Sequence, residues 1–175
     1  MNYRLIIFLT ICLLTIDSIT FGQCLSKVDE MTNDKIISND LVRIGKRPVE
    51  GWSPVYFLRM AVVKINQTPI LNFYAERGSA SSIKENDIIY IKTQDSVLKV
   101  LNINYQITKV TSGEAFTQGT NTSIFYYIFS VPTDGVTLLY LQSHPPIKIR
   151  VDNYDYEINK PQLLTEQINC ILKAN

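Results

Sequence analysis

The chain has 175 residues, 17 basic against 16 acidic side chains for a net charge of +1, and a hydrophobic content of 46%. A near-neutral balance without long runs of one sign argues against nucleic acid or an anionic membrane surface as the main partner, since both call for a basic patch. Ordinary glycine and proline usage, no internal repeat and no low-complexity stretch leave a single domain, with enough chain to bury a substantial core.

The first segment reads as an address. Arg4, the apolar run Leu5 to Ile16 and the closing Thr20-Phe21-Gly22 have the layout of a secretory signal peptide over 1–22, with cleavage before Gln23. An apolar run of about 12 residues is short for a ~30 Å hydrocarbon layer. Export to the periplasm or the extracellular space is expected, with membrane attachment only if the leader stays uncleaved or the N-terminus is lipidated. Cys12 leaves with the leader, so the mature chain keeps Cys24 and Cys170. An even pair in an oxidising compartment is expected to bridge, tying the two termini together. The alternatives are two free thiols or a lipidated Cys24, although Gln23 is not the small residue that lipidation calls for.

Residues 23–47 are polar and mixed, and read as an N-terminal arm with one short strand near Leu41–Ile44. A single domain over 48–175 follows. Pro48, Gly51 and Pro54 bracket Trp52, which reads as a packing anchor or a ligand-stacking ring. Residues 55–65 and 70–76 make a hairpin, with Leu58, Met60 and Val62 on one face and Phe57, Arg59 and Val63 on the other. A second hairpin joins 88–92 to 97–110 through the polar turn 93–96. In its second strand Leu101, Ile103, Tyr105 and Ile107 alternate with Asn102, Asn104, Gln106 and Thr108, which predicts the first set on the core and the second in water.

A polar loop occupies 111–123, and 125–131 is a further strand. Residues 136–142 fit either a strand or a helical turn opened by Asp134. A third hairpin spans 147–151 and 154–158, with Asp152-Asn153 at its turn. Pro161 then opens a helix over 161–173, whose stripe is Leu164, Ile168, Ile171 and Leu172. The fold class is mainly β: an antiparallel sheet or sandwich of about seven strands with the helix packed on it.

The chemistry-bearing residues are sparse. The one histidine, His144, stands before Pro145-Pro146 in a surface turn, with no nucleophile elbow near it and too few partners for a zinc site. No nucleotide-binding or metalloprotease motif occurs, so no catalytic residue, metal or cofactor is expected. Asp152, Asp155 and Glu157, with Glu114, are the only candidates for a carboxylate pair or a calcium site, and they lack a recognised calcium-loop spacing. Asn66-Gln67-Thr68 and Asn121-Thr122-Ser123 match the glycosylation triplet by pattern alone. The many tyrosines suit strands, and Tyr126, Tyr154 and Tyr156, with Trp52, are candidates for an aromatic binding platform.

The ending Phe21-Gly22-Gln23, the block Ser82 to Ile91 and Ile147-Lys-Ile-Arg-Val before a tyrosine-rich strand and a final helix resemble small exported β proteins of the Bacteroidetes. The resemblance covers about half of the mature chain. It implies fold and export, and no activity. The expected function is a non-enzymatic binding or assembly module that meets an exported protein or a cell-envelope component through a sheet face, a strand edge or the 111–123 loop. A small carboxylate-dependent hydrolase and an inhibitor- or immunity-type protein are the alternatives.

Overall fold

The computed structural model describes residues 24–48, 55–111 and 124–174. The leader expected over 1–22, Trp52 and residues 112–123 of the polar loop lie outside them. The described chain is mainly β, with thirteen strands and two helices.

The longest strands stand where β-branched and aromatic residues are densest. β4 (Phe57–Ile65) and β5 (Thr68–Arg77) form a hairpin closed at Asn66-Gln67, where Asn66 takes the left-handed φ of 55° that asparagine tolerates. The Asn66 amide donates to Asp34 (2.7 Å) and its oxygen accepts from the Lys35 N–H (3.0 Å), which fastens this turn to the start of β2 (Lys35–Ser38). The expected alternation holds in β4: Leu58, Met60 and Val62 are buried, while Phe57, Arg59 and Val63 are half-buried on the other face. β11 (Ile124–Pro132) runs antiparallel to β5 along its whole length, and Phe129 stacks on Phe73 in the interior at 4.8 Å between ring centroids.

The far edge of β4 is shared. β3 (Val42–Lys46) pairs with its first half and β2 with its second, and β1 (Leu25–Val28) pairs with β2. The described part of the expected arm, residues 24–47, holds three strands rather than one, and β3 lies inside the sheet. Backbone pairing places β1, whose four residues are all exposed, while Ile37 of β2 and Ile44 of β3 are buried in the core. Beyond β3 the sheet continues through β13 (Tyr154–Ile158), β12 (Lys148–Val151), β7 (Ile88–Lys92) and β8 (Val97–Leu101). Gly45 permits the β3–β13 crossing, because a Cβ there would stand 2.5 Å from the Glu157 carbonyl oxygen.

The expected count of about seven strands is corrected to thirteen. The N-terminal segment supplies three, Ser82–Ile83 forms the short β6, and 97–110 breaks into β8, β9 (Gln106–Ile107) and β10 (Lys109–Thr111). The break has a physical cause. After Leu101 the chain leaves β7 and runs antiparallel along the free edge of β11. There the Ile103 N–H donates to the Ser130 carbonyl (3.0 Å), the Ser130 N–H to Asn102 Oδ1 (3.1 Å) and the Ile128 N–H to Gln106 Oε1 (3.0 Å), before β10 pairs with β11. The two ends of the sheet are thereby joined around one apolar core. β6 pairs with β9 as a separate small ladder.

This closure inverts the faces expected for 101–108. Asn102 is fully buried, whereas Leu101, Ile103, Tyr105 (60% exposed) and Ile107 (61%) face outward. The polar side turns in because the backbone N–H groups of β11 need acceptors there, and an unpaired buried N–H is costly.

Residues 136–142 resolve as helix α1 (Gly135–Ser143), capped by the Asp134 carboxylate accepting from the Thr137 N–H at 2.6 Å. That bond holds the Asp134 carboxyl below its ordinary pKa. Helix α2 (Pro161–Lys173) has proline in its first turn and buries Leu164, Ile168 and Ile171, as the stripe predicts. Two buried amides pin α2 to the β2–β3 connection: Asn39 Nδ2 donates to the Gln167 carbonyl (2.9 Å) and Gln167 Nε2 to the Asp40 carbonyl (2.6 Å). Cys24, just ahead of β1, is disulfide-bonded to Cys170 of α2, with Cα atoms 5.9 Å apart. The bridge is consistent with an oxidising, exported environment. No helix among the described residues is long and apolar enough to cross a membrane.

Candidate functional site

The structure does not gather the expected aromatic platform. Trp52 lies outside the described residues. Tyr126 stacks on Tyr74 at 4.4 Å, on a different part of the sheet from β13. Tyr156 is completely buried and its hydroxyl donates to the Glu76 carbonyl at 2.7 Å, so it is a core residue. Burial pushes the Tyr156 and Tyr127 hydroxyls well above the ordinary tyrosine range.

Tyr154 is half-buried, like Tyr126, and lies between two guanidinium groups. Arg47 lies 4.1 Å and Arg77 4.2 Å from its ring centroid. Its hydroxyl is lowered below the ordinary range by the Ser79 hydroxyl first, and then by the two arginines. Arg77 is only 4% exposed, also packs over Tyr127, and meets Asp152 through Nη1 at 3.2 Å. A cation inside an aromatic cage with one carboxylate fastens β5 to the β12–β13 turn.

The expected acidic cluster is split. Asp152, at φ 55° in that turn, is held by Arg77, whereas Asp155 lies on the outer face of β13 and is held by Arg150. Among the described residues no three His, Cys, Asp or Glu side chains converge on a metal position. His144 caps α1 and stacks on Tyr140 at 4.5 Å, with Nε2 3.9 Å from Asp95. Glu114 and the 121–123 triplet lie outside the described residues. Asn66 of the other triplet spends its amide on Asp34.

A different constellation stands on the outer face of β8, β7, β12, β13 and β3. Strand register fixes it, because alternate residues of each strand project to the same side. One cross-strand row reads Lys99, Tyr90, Arg150, Asp155 and the next reads Lys92, Lys148, Glu157, Lys46. These rows hold five cations and two carboxylates. Two adjoining depressions open on this face and share Arg150 and Asp155. One of about 370 Å³ is completed by Arg47, Pro48 and Asn153, and one of about 160 Å³ by Tyr90, Lys92, Val97 and Lys148. Arg150 grips Asp155 with both arms of its fork, Nε at 2.5 Å and Nη2 at 2.9 Å, and thereby holds that carboxyl below its usual range. Lys148 shares the same carboxylate at 3.6 Å.

The outward Lys148 and Arg150 of IKIRV and the outward Tyr90 and Lys92 of IIYIK are legible as the polar sides of their strands. What sequence reasoning misses is that these two strands are neighbours, which only the sheet order supplies. No known protein family, no characterised protein and no solved structure matches the chain.

Proposed function

We propose that the protein is an exported, non-enzymatic binding module that takes an anionic ligand of the cell envelope on the outer face of β7, β12 and β13. The observation that carries this reading is the pair of adjoining depressions on that face, where Arg47, Lys92, Lys148 and Arg150 surround a single carboxylate, Asp155. A chain whose overall charge is +1 here concentrates positive charge locally, and low-lying apolar walls from Tyr90 and Val97 focus it. The cystine staple and the closed sheet supply the rigid scaffold that a preformed site requires.

The experiment is a titration with dextran sulfate, a flexible polyanion, comparing the wild type with Lys92→Glu/Lys148→Glu. The double reversal changes the local charge by four units, and at ~0.5 kcal/mol per exposed charge it is expected to weaken binding roughly thirtyfold. Lys27→Glu/Lys35→Glu, which makes the same change in net charge on β1 and β2, is expected to bind nearly as the wild type does. Equal losses in both variants, or no loss in either, would remove the outer face as the recognition surface.

A further inference from the structure

We infer that Lys92 and Lys148 form the seat of a phosphomonoester group, with Tyr90 and Val97 holding the ring or chain that carries it; this rests on the outer face being the recognition surface. Lys92 and Lys148 stand directly opposite one another in the β7–β12 ladder. Like charges in that position repel and destabilise the pairing unless a counter-charge sits between them. The one carboxylate of this depression is already engaged, since both oxygens of Asp155 accept from Arg150 and Lys148 only shares one of them. Lys92 makes no ion pair among the described residues. With Lys99 and Glu157 of the same face, four cations (Lys92, Lys99, Lys148 and Arg150) stand against two carboxylates (Asp155 and Glu157) around an open depression of about 160 Å³, a surplus of two positive charges.

A ligand that restores neutrality there carries two negative charges on one small group. A carboxylate or a sulfate ester carries one. A phosphomonoester carries about −1.5 to −2 at pH 7, with three acceptor oxygens to divide between two ammonium groups and the free edge of the guanidinium. The depression, about 160 Å³ and open to solvent, leaves room for a tetrahedral oxyanion together with part of the group that carries it. The Tyr90 ring lies across the strand pair from Arg150 and offers a flat apolar wall beside the charged seat. A phosphorylated sugar or phosphoaryl group fits that combination, and the charged part supplies the discrimination.

The groups facing the seat are Tyr90 and Lys92 from β7, Val97 and Lys99 from β8, Lys148 and Arg150 from β12, and Asp155 and Glu157 from β13. The Asp155 carboxyl lies below its ordinary value under the grip of Arg150, so it stays ionised across the range tested. A pH response between 5 and 7.5 then belongs to the second ionisation of the phosphate, near pH 6.

The test uses the disulfide-bonded protein and two probes, phenyl phosphate and phenyl sulfate, read by backbone amide chemical shifts. Phenyl phosphate is expected to shift the amides of β7 and β12 saturably and to bind several-fold more weakly at pH 5 than at pH 7.5, with phenyl sulfate weaker and flat over the same range. Lys92→Ala and Lys148→Ala are each expected to weaken phenyl phosphate about five- to tenfold, and Lys109→Ala to leave it unchanged. His144 lies against Asp95 on the β7–β8 turn, so the pH series is repeated in His144→Gln and is expected to be unaltered. Equal binding of the two probes, or wild-type affinity in Lys92→Ala/Lys148→Ala, overturns the seat. Dextran sulfate binding without phenyl phosphate binding overturns the seat and leaves the recognition surface standing; loss of both probes removes both.

Discussion

Replacing the bridged cysteines, Cys24→Ser with Cys170→Ser, is expected to lower the free energy of unfolding by about 4–5 kcal/mol. The two residues are 146 apart in sequence, so the bridge closes a loop through nearly the whole described chain and removes a large share of the entropy of its unfolded state. The folded state gains little from β1 itself, whose four residues are all exposed and which pairs only with β2. The bridge is therefore what fixes the start of the chain against α2. For a domain whose total stability is typically 5–15 kcal/mol, a loss of that size is about a quarter of the whole or more. Urea unfolding of both forms, followed by tyrosine fluorescence and circular dichroism, measures it. A loss under about 1 kcal/mol would mean that the unfolded chain is already compact enough to gain nothing from the bridge.

Asn102→Ala is expected to cost about 2–4 kcal/mol, although the position reads from sequence as the wet side of a strand. Asn102 is fully buried, accepts from the Ser130 N–H at 3.1 Å, and donates both to the Lys84 carbonyl at 2.9 Å and to the Asn104 carbonyl. Its removal strands a buried backbone donor on β11 and loosens the segment that joins the two ends of the sheet. The neighbouring Ile103→Thr and Ile107→Thr touch exposed side chains and are expected to stay within about 0.5 kcal/mol of the wild type. The reverse order, a large cost at Ile103 and none at Asn102, would mean that the segment is seated with its other face inward, as a shift of one residue would make it.

That pair of substitutions also marks where sequence reasoning stops. The alternation over 101–108 correctly divides the residues into two sets, because successive strand side chains point to opposite sides. It says nothing about which set is inside. That depends on the unpaired backbone of β11, with which Gln106 and Asn102 pair, and β11 is distant in sequence. The hairpins at 57–77 and 148–158 and the helix over 161–173 are legible because local signals agree: period-two apolar residues, Asn or Asp at the turns, and proline in the first helical turn. The strands β1 to β3 are not, since β1 is wholly exposed and held by pairing and the covalent bridge, while β2 and β3 give the core one large side chain each, Ile37 and Ile44, too few to make a period. The outer basic face is half legible. Lys148 and Arg150 announce an exposed strand side, but the Lys92–Lys148 opposition arises only when β7 and β12 become neighbours. Tyr156 shows the opposite case: an abundant surface-loving residue type, read as a ligand platform, that the fold places at the centre of its core.

The most direct measurement is amide hydrogen exchange of the disulfide-bonded protein with and without saturating dextran sulfate, read segment by segment. Slower exchange confined to 88–101 and 147–158 is the expected result, since those segments carry Tyr90, Lys92, Lys148, Arg150 and Asp155. Protection that falls instead on 25–38 or on the exposed apolar residues of 103–110, with 88–101 and 147–158 unchanged, would contradict the outer face of β7, β12 and β13 as the surface by which this protein binds.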